Sequence, residues 1–267
     1  MALFRSLWIG DALSPHERLC IQSFLAHGHE FELFVYRPVA NVPQGCRFVD
    51  AREILPEDQV FAYSVGPGKG SYSAFSNWFR YKLLLDVGGW WVDTDVVCLT
   101  ADVSEPAIAM AREDDAVGRV NCAIMRFPAG HPAMRYAYET AVAAGQGVGW
   151  AQIGPVLTTE TVQRFGLESW LAPTRSFYPI PYREFSATLR PSQHDYVAAR
   201  TTGATFLHLW NEMIRRAQYN KDCRPPAGSY LRGLFDRHGL SADFRSEYRA
   251  TEVGDRLQLQ VHSLGPQ

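Results

Sequence analysis

The chain has 267 residues, 46% hydrophobic and 13% aromatic, and its 26 basic against 28 acidic side chains leave a formal net charge of -2. That balance excludes the overall basic excess by which proteins grip nucleic acid, and the apolar content excludes a disordered chain. The length suffices for one large domain or two small ones, with a core that needs neither disulfides nor a structural metal.

Leu3 to Gly10 reads as a short buried strand, and Ser14-Pro15 as a helix start, a capping hydroxyl followed by proline at the first helical position. The helix runs to about His27, where Gly28 can take the left-handed stop conformation. Phe31 to Tyr36 returns as a strand, and this strand–helix–strand unit points to an α/β domain with parallel pairing. Arg47 to Asp50 is a further short strand. Ser64 to Ser71 is a glycine-rich loop, a surface loop or a mobile flap over an active site. It is not a phosphate-binding P-loop, because Gly70 follows Gly68-Lys69 where serine or threonine is required and Tyr63 replaces the first glycine.

Ser73 to Val87 is the clearest helix, with Phe75, Phe79, Leu83 and Val87 forming a core stripe and Asn77, Arg80 and Leu84 on another face. Gly88-Gly89 ends it, and Trp90 to Leu99 reads as a buried strand. Strand-like and helical patches then alternate to about Ala199, a last strand falls at Thr205 to Leu209, and helix-forming residues follow from Glu212. Pro225-Pro226-Ala227-Gly228 separates a more charged tail, so the expected organisation is one domain over residues 1–224 with a helical appendage, 225–267, packed on it.

The five cysteines (Cys20, Cys46, Cys98, Cys122, Cys223) are odd in number and never spaced as CxxC, the pattern of reduced thiols. No apolar run approaches the roughly 18 residues of a membrane span, and Met1 to Gly10 is too short for a secretory signal. The expected location is the cytoplasm, with peripheral association at the inner face of the membrane left open.

The most informative stretch is Gly88 to Leu99, where Asp93 and Asp95 sit two residues apart in an otherwise apolar run. In extended chain such a pair faces one way, and two buried like charges demand a positive partner: arginine, lysine or a divalent cation. Carboxylates that share Mg²⁺ or Mn²⁺ with phosphate oxygens are the usual arrangement at a nucleotide. The plainer alternative is a strand that has reached solvent, with Asp93 capping a turn and Asp95 exposed. Ligands of open α/β sheets gather at the carboxyl ends of strands, and Arg80, on the helix just before, can reach an anion at the same place.

The run from Ser76 through Arg80-Tyr81 and Gly88-Gly89 to Asp93-Thr94-Asp95 resembles the signature of the glycosyltransferases with a DXD sugar-binding region. That family takes in eukaryotic α-1,4-glycosyltransferases, yeast mannosyltransferases and bacterial polysaccharide enzymes, and glucosylating toxins are similar in fold. Weaker correspondences follow in order at Ser6 to Gly10, Asn121, Pro128 to Pro132, Ile153-Gly154-Pro155, Phe177 to Ile180 and His208-Leu209-Trp210. One departure is Asn77, where the family's helix usually carries aspartate; it keeps hydrogen-bonding capacity and loses a charge.

The resemblance implies an α/β type-A glycosyltransferase fold, a Rossmann-like, mostly parallel sheet flanked by helices. It also implies a nucleotide-sugar donor, such as a UDP-sugar, with Mn²⁺ or Mg²⁺. Asp95 would ligate the metal, Asp93 would contact the ribose and bind the metal directly or through water, and His208 would be a further ligand. Arg80 would hold a phosphate or donor hydroxyl, Asn77 a sugar hydroxyl, and Asn121 and Gln152 would face the donor sugar. Trp8 would stack on the base and Trp210 would lie near the departing phosphate or the acceptor. The implied reaction moves a hexose or N-acetylhexosamine to a glycan or lipid-linked saccharide, with retention and no evident nucleophile, hence by front-face displacement.

For several of these residues a structural role is the alternative: Trp8 and His208 in the core, Trp210 packing the last helix. Tyr81 reads as structural, the His27-Gly28-His29 pair as solvated helix-end caps, and His131 as a helix start. A catalytically silent nucleotide-sugar-binding protein and a toxin-like transferase with a protein acceptor are the competing functions. A phosphohydrolase would need more clustered ligands than the sequence offers.

Overall fold

A computed structural model describes residues 1–253 and 256–264. Among these, a five-stranded sheet has the order β3-β2-β1-β4-β7. Its strands are β1 (Leu3–Trp8), β2 (Glu30–Val35), β3 (Arg47–Asp50), β4 (Gly89–Val92) and β7 (Ile124–Phe127). The first four pair in parallel and β7 runs antiparallel to β4, which is the mostly parallel α/β sheet expected. The chain leaves β1 on one side to form β2 and β3, then crosses to form β4 on the other. The carboxyl ends of β1 and β4 therefore flank the point where strand order reverses, the place where such sheets open a crevice.

Helix α1 (Pro15–Ala26) covers one face and α2 (Ser73–Asp86), backed by α3 (Pro132–Ala143), the other. Because both faces are covered, β4 is apolar throughout rather than alternating. Trp90 packs among Phe4, Phe177 and Phe206, whereas Trp91 faces Phe79 of α2. Phe75, Phe79 and Leu83 are buried as the stripe required, but Val87 is exposed because the helix ends at Asp86. Gly88 sustains the turn into β4 at φ +68°, where a Cβ would stand 2.4 Å from the Ala129 nitrogen.

The single strand expected from Trp90 to Leu99 is two. β4 stops at Val92, Asp93 to Val96 forms a turn closed by Val96 N–H donating to the Asp93 carbonyl (3.2 Å), and β5 (Val96–Cys98) leaves the main sheet. β5 pairs antiparallel with β9 (Phe206–His208). The middle of the chain holds β6 (Met110–Ala111), α4 (Leu157–Phe165), β8 (Leu171–Ala172), α5 (Thr174–Phe177) and α6 (His194–Thr201), with β6 paired to β8. After β9 come α7 (Asn211–Arg216) and β10 (Cys223–Arg224).

The tail corrects the helical expectation: one helix, α8 (Tyr230–Arg237), is followed by a hairpin of β11 (Ser246–Val253) and β12 (Arg256–Ser263). Ser246 to Thr251 alternates polar residues with Tyr248 and Ala250, a period-two pattern that outweighs its charge content. Leu231, Leu234 and Phe235 of α8 share a core with Leu19 and Cys20 of α1 and Leu207 of β9. Residues 265–267, the end of the expected appendage, lie outside the described residues.

Two stability tests follow. Gly88→Ala forces a side chain into a left-handed position and against backbone, and is expected to cost on the order of 3 kcal/mol in urea denaturation. His16 is fully buried between Tyr219 and Phe235 with neither ring nitrogen partnered among the described residues, and burial, reinforced by Lys221, drops its pKa from 6.5 to about 3. Below pH 6.5 the unfolded chain takes up a proton that the folded chain refuses. Stability should therefore fall with a slope approaching about 1.4 kcal/mol per pH unit down to the folded pKa. His16→Phe should remove that component, seen as a shallower loss of the urea midpoint between pH 6.5 and pH 4.

Candidate functional site

The Asp93–Asp95 turn sits at the carboxyl end of β4, beside the carboxyl end of β1, where Trp8 ends its strand. Asp93 is pinned through its backbone N–H, which donates to the Ala123 carbonyl at 2.8 Å. Its Oδ1 accepts from Arg80 Nη2 at 2.5 Å and from Trp91 Nε1 at 2.8 Å. Asp95 is held differently. The β5–β9 register sets Val96 opposite His208, which brings His208 Nε2 within 3.1 Å of Asp95 Oδ1. Trp210, in the left-handed region at φ 57°, turns the chain sharply from β9 into α7, so that the Asn211 N–H donates to Asp95 Oδ2 at 2.8 Å. That conformation is uncommon for so bulky a residue, and here the turn it makes delivers a hydrogen bond to the site.

The two carboxylates do face one locale, though through a turn rather than along a strand. Neither is the solvent-exposed strand end of the plainer reading: Asp95 is buried, and Asp93 keeps 28% of its side chain accessible while paired to Arg80. One donor atom from each of Asp93, Asp95 and His208 lies within 4.8 Å of the others. Two carboxylate oxygens and an imidazole nitrogen at that spacing fit a divalent ion. His208 Nδ1 is buried without a partner among the described residues, which leaves Nε2 as the nitrogen engaged at the site. Burial is the largest influence on both Asp95 and His208 and works against charge on each, but their partners together outweigh it, each being first among the other's. Asp95 is held below the usual carboxylate range, helped by the Asn211 N–H and Lys221, and His208 is raised above the usual imidazole range.

Arg80 is 3% exposed, and the guanidinium lies over the Trp91 ring at 5.1 Å. Its Nη1 donates to Asn77 Oδ1 at 2.9 Å. Burial works against its charge, and Asp93, with smaller contributions from Cys122, Tyr81 and Tyr178, more than restores it. Asn77 also accepts from Cys122 Sγ at 3.5 Å, and Gly154 packs so closely that a Cβ there would stand 3.1 Å from Asn77 Nδ2. Tyr81 is structural as expected, its hydroxyl donating to the Ile153 carbonyl at 3.1 Å and meeting Thr158.

A cavity of about 880 Å³ opens over the turn and takes in Trp8, Asn77, Arg80, Asp93, Asp95, Asn121, His208 and Trp210. Asn121 is buried, accepting from the Ala123 N–H at 2.7 Å and donating to Glu113 Oε2 at 3.1 Å. Trp8 is half-buried against the core with its Nε1 unpartnered among the described residues. The Trp210 ring stands edge-on to His208 at 4.1 Å, and its N–H is spent on the Ile180 carbonyl at 2.8 Å, so only ring atoms are left to face a ligand. Gln152 is not brought to the site. It is exposed, accepts from the Gly149 N–H at 3.0 Å, and stands outside the cavity because the irregular turn at Gly154 directs residues 153 and 154 inward instead. The loop from Ser64 to Ser71 does border the cavity, through Lys69, Gly70 and Ser71. His131 caps α3 by accepting from the Ala133 N–H at 3.2 Å, the helix start foreseen for it.

Sequence reasoning missed Glu17, Glu113, Asn211 and Lys221, all of which line the cavity. Glu17 carried a signal, standing three residues after Ser14 as the acidic member of a capping box. Asn211 directly follows the His208-Leu209-Trp210 motif. Glu113 carried none.

Asp95 contributes most to raising His208, ahead of Asp93 and Glu113, so Asp95→Asn removes the larger part of what opposes burial. The His208 imidazole should then titrate at a lower pH by NMR than it does in the unsubstituted, metal-free chain, where it is raised above the usual imidazole range.

Residues 126–233 match the family model described as the alpha 1,4-glycosyltransferase conserved region. No curated protein matches the chain in sequence. Among solved structures the chain is similar to the PaToxG glycosyltransferase at 14% identity, covering 87% of each chain with a TM-score of 0.47. It is also similar to the glycosyltransferase GlyE in Streptococcus pneumoniae TIGR4 at 12% identity, covering 90% of this chain and 60% of that one, with a TM-score of 0.48. A third is the galactosyltransferase LgtC in complex with donor and acceptor sugar analogs, at 12% identity, 95% and 98% coverage and a TM-score of 0.44. The family match takes in His208, Trp210 and Asn211, the segment that closes over the Asp93–Asp95 turn, and by it this part of the chain carries the alpha 1,4-glycosyltransferase region, in keeping with the resemblance of its DXD-bearing sequence.

Proposed function

We propose that the chain is a metal-dependent glycosyltransferase that moves a hexose or N-acetylhexosamine from a nucleotide-sugar donor, a UDP-sugar, to a saccharide acceptor with retention of configuration. The observation that carries this reading is the convergence of Asp93, Asp95 and His208 at the floor of the cavity, with Arg80 beside them. The three would hold the ion. The mixed oxygen–nitrogen donor set favours Mn²⁺ over Mg²⁺, which keeps to oxygen ligands. When bound, the ion supplies positive charge to the diphosphate as the sugar–phosphate bond breaks.

The other roles fall to side chains whose partners are already fixed. Arg80 keeps a buried positive charge next to Asp93, which counters the burial and the neighbouring Asp95 that push the Asp93 carboxyl above the usual range, and its guanidinium is oriented toward the cavity. Asn77 and Asn121 offer carboxamides to donor hydroxyls, each locked in orientation by a neighbour. Trp8, at the end of β1, is assigned to the base, and the ring of Trp210 to the leaving group or acceptor side. Burial lifts the Cys122 thiol to about 11, so it stays neutral and is not a candidate nucleophile. With no nucleophile assigned, the reaction is assigned to front-face displacement, the departing phosphate accepting the acceptor's proton.

Residues 1–224 are assigned as the catalytic domain, with 225–267 packed on it. Among the described residues no helix is long and apolar enough to cross a membrane. We assign the enzyme to the cytoplasm, with a glycan or lipid-linked acceptor.

The test is Mn²⁺-dependent hydrolysis of UDP-sugars without acceptor. Asp95→Ala should lower the rate about 10²–10³-fold with the circular dichroism spectrum unchanged. Undiminished turnover in that variant would refute metal-assisted transfer. Metal-dependent UDP binding without turnover across a donor panel would favour a silent binding protein.

A further inference from the structure

Glu17 is a carboxylate that the assigned chemistry does not use, yet it is 0% exposed and borders the same cavity. A buried carboxylate is tolerated only when its lone pairs are met, and all of this one's partners can be named. Oε2 accepts from the Ser14 N–H at 3.1 Å and from the Ser14 hydroxyl, which closes the capping box of α1. Oε1 accepts from Asn211 Nδ2 at 2.9 Å and from Lys221 Nζ. Saturated in this way, Glu17 has no capacity left for a ligand and can act only through what it holds.

What it holds leads to the metal corner. Asn211 is fixed at two points, its side chain on Glu17 and its backbone N–H on Asp95 Oδ2 at 2.8 Å. Its Oδ1 is buried with no partner among the described residues, so the Glu17 contact is what orients the carboxamide. Asp95 in turn has one oxygen on Asn211 and the other on His208, so its plane is set by those two neighbours. We infer that Glu17 is a positioning residue: through Asn211 it fixes the rotation of the Asp95 carboxylate and thereby the affinity of the Asp93–Asp95–His208 cluster for a divalent ion. This rests on the metal-dependent reading above.

The probe is Mn²⁺ alone, its binding followed by loss of the free-ion electron paramagnetic resonance signal. Glu17→Gln puts an amide among donors and loosens Asn211; Asn211→Ala keeps the backbone N–H and removes the link while leaving the α1 capping box intact. Each should weaken Mn²⁺ binding about tenfold, in the range typical of outer-shell partners, and the double variant should be no weaker than the stronger single. Asn211→Ala guards against the case in which Glu17→Gln fails to fold. A purely structural role would lower melting temperatures with Mn²⁺ affinity within twofold of the unsubstituted chain, and that result overturns the inference. So does a shift in one single variant only, or additive effects in the double. Asp95→Ala separates the two levels. If it binds Mn²⁺ as well as the unsubstituted chain does, the metal reading falls and the inference with it. If it loses Mn²⁺ while Glu17→Gln and Asn211→Ala do not, the positioning role alone is wrong.

Discussion

Two carboxylates lie side by side at the carboxyl end of an apolar strand, and each has a different positive partner set against the cost of its burial. Asp93 leans on the arginine of the preceding helix; Asp95 leans on a histidine more than a hundred residues later in the chain. Neither partnership is local, since both depend on tertiary packing: α2 against β4 for the first, the β5–β9 register for the second. A slip of one residue in that register would turn His208 to the opposite face and leave Asp95 buried beside a like charge. The site is thus inseparable from the way β5 leaves the main sheet.

The departure of β5 explains why the second half of the chain packs as it does. β5 and β9 carry Val97 and Leu207 into a core shared with α1, α8 and the terminal hairpin. Trp210 then reverses the chain, stacks edge-on against His208 and ties its indole N–H to Ile180. The backbone strain at Trp210 is compensated by this aromatic and hydrogen-bonded setting, and its result is an N–H aimed at Asp95.

Much of this was legible in the sequence. The β1–α1–β2 unit, the stripe of α2 and the glycine turn before β4 follow from local rules, and each formed within a residue or two of its expected bounds. The carboxylate pair announced a positive partner because charge in an apolar run requires one. Other features were not legible, and the reasons are physical. A turn within Trp90 to Leu99 leaves no mark when both flanks are buried, because apolar runs look alike whether one strand or two. Gln152 was placed at the donor sugar by resemblance alone, and the non-helical Gly154 decides which of its neighbours face inward.

Glu17 shows most clearly where local and tertiary signals separate. Read locally, an acidic residue three positions after a capping serine has one use, to close the first turn of a helix, and it does so. Nothing local says that the same carboxylate, buried by the segment after β9, must also find partners for its second oxygen. Once α7 and Lys221 come to rest on α1, that need is met by Asn211 and Lys221, and the first helix of the fold becomes mechanically continuous with Asp95. An element whose local role is only to open the fold is thereby bound to the chemistry at its centre, because a buried charge cannot be left half-satisfied.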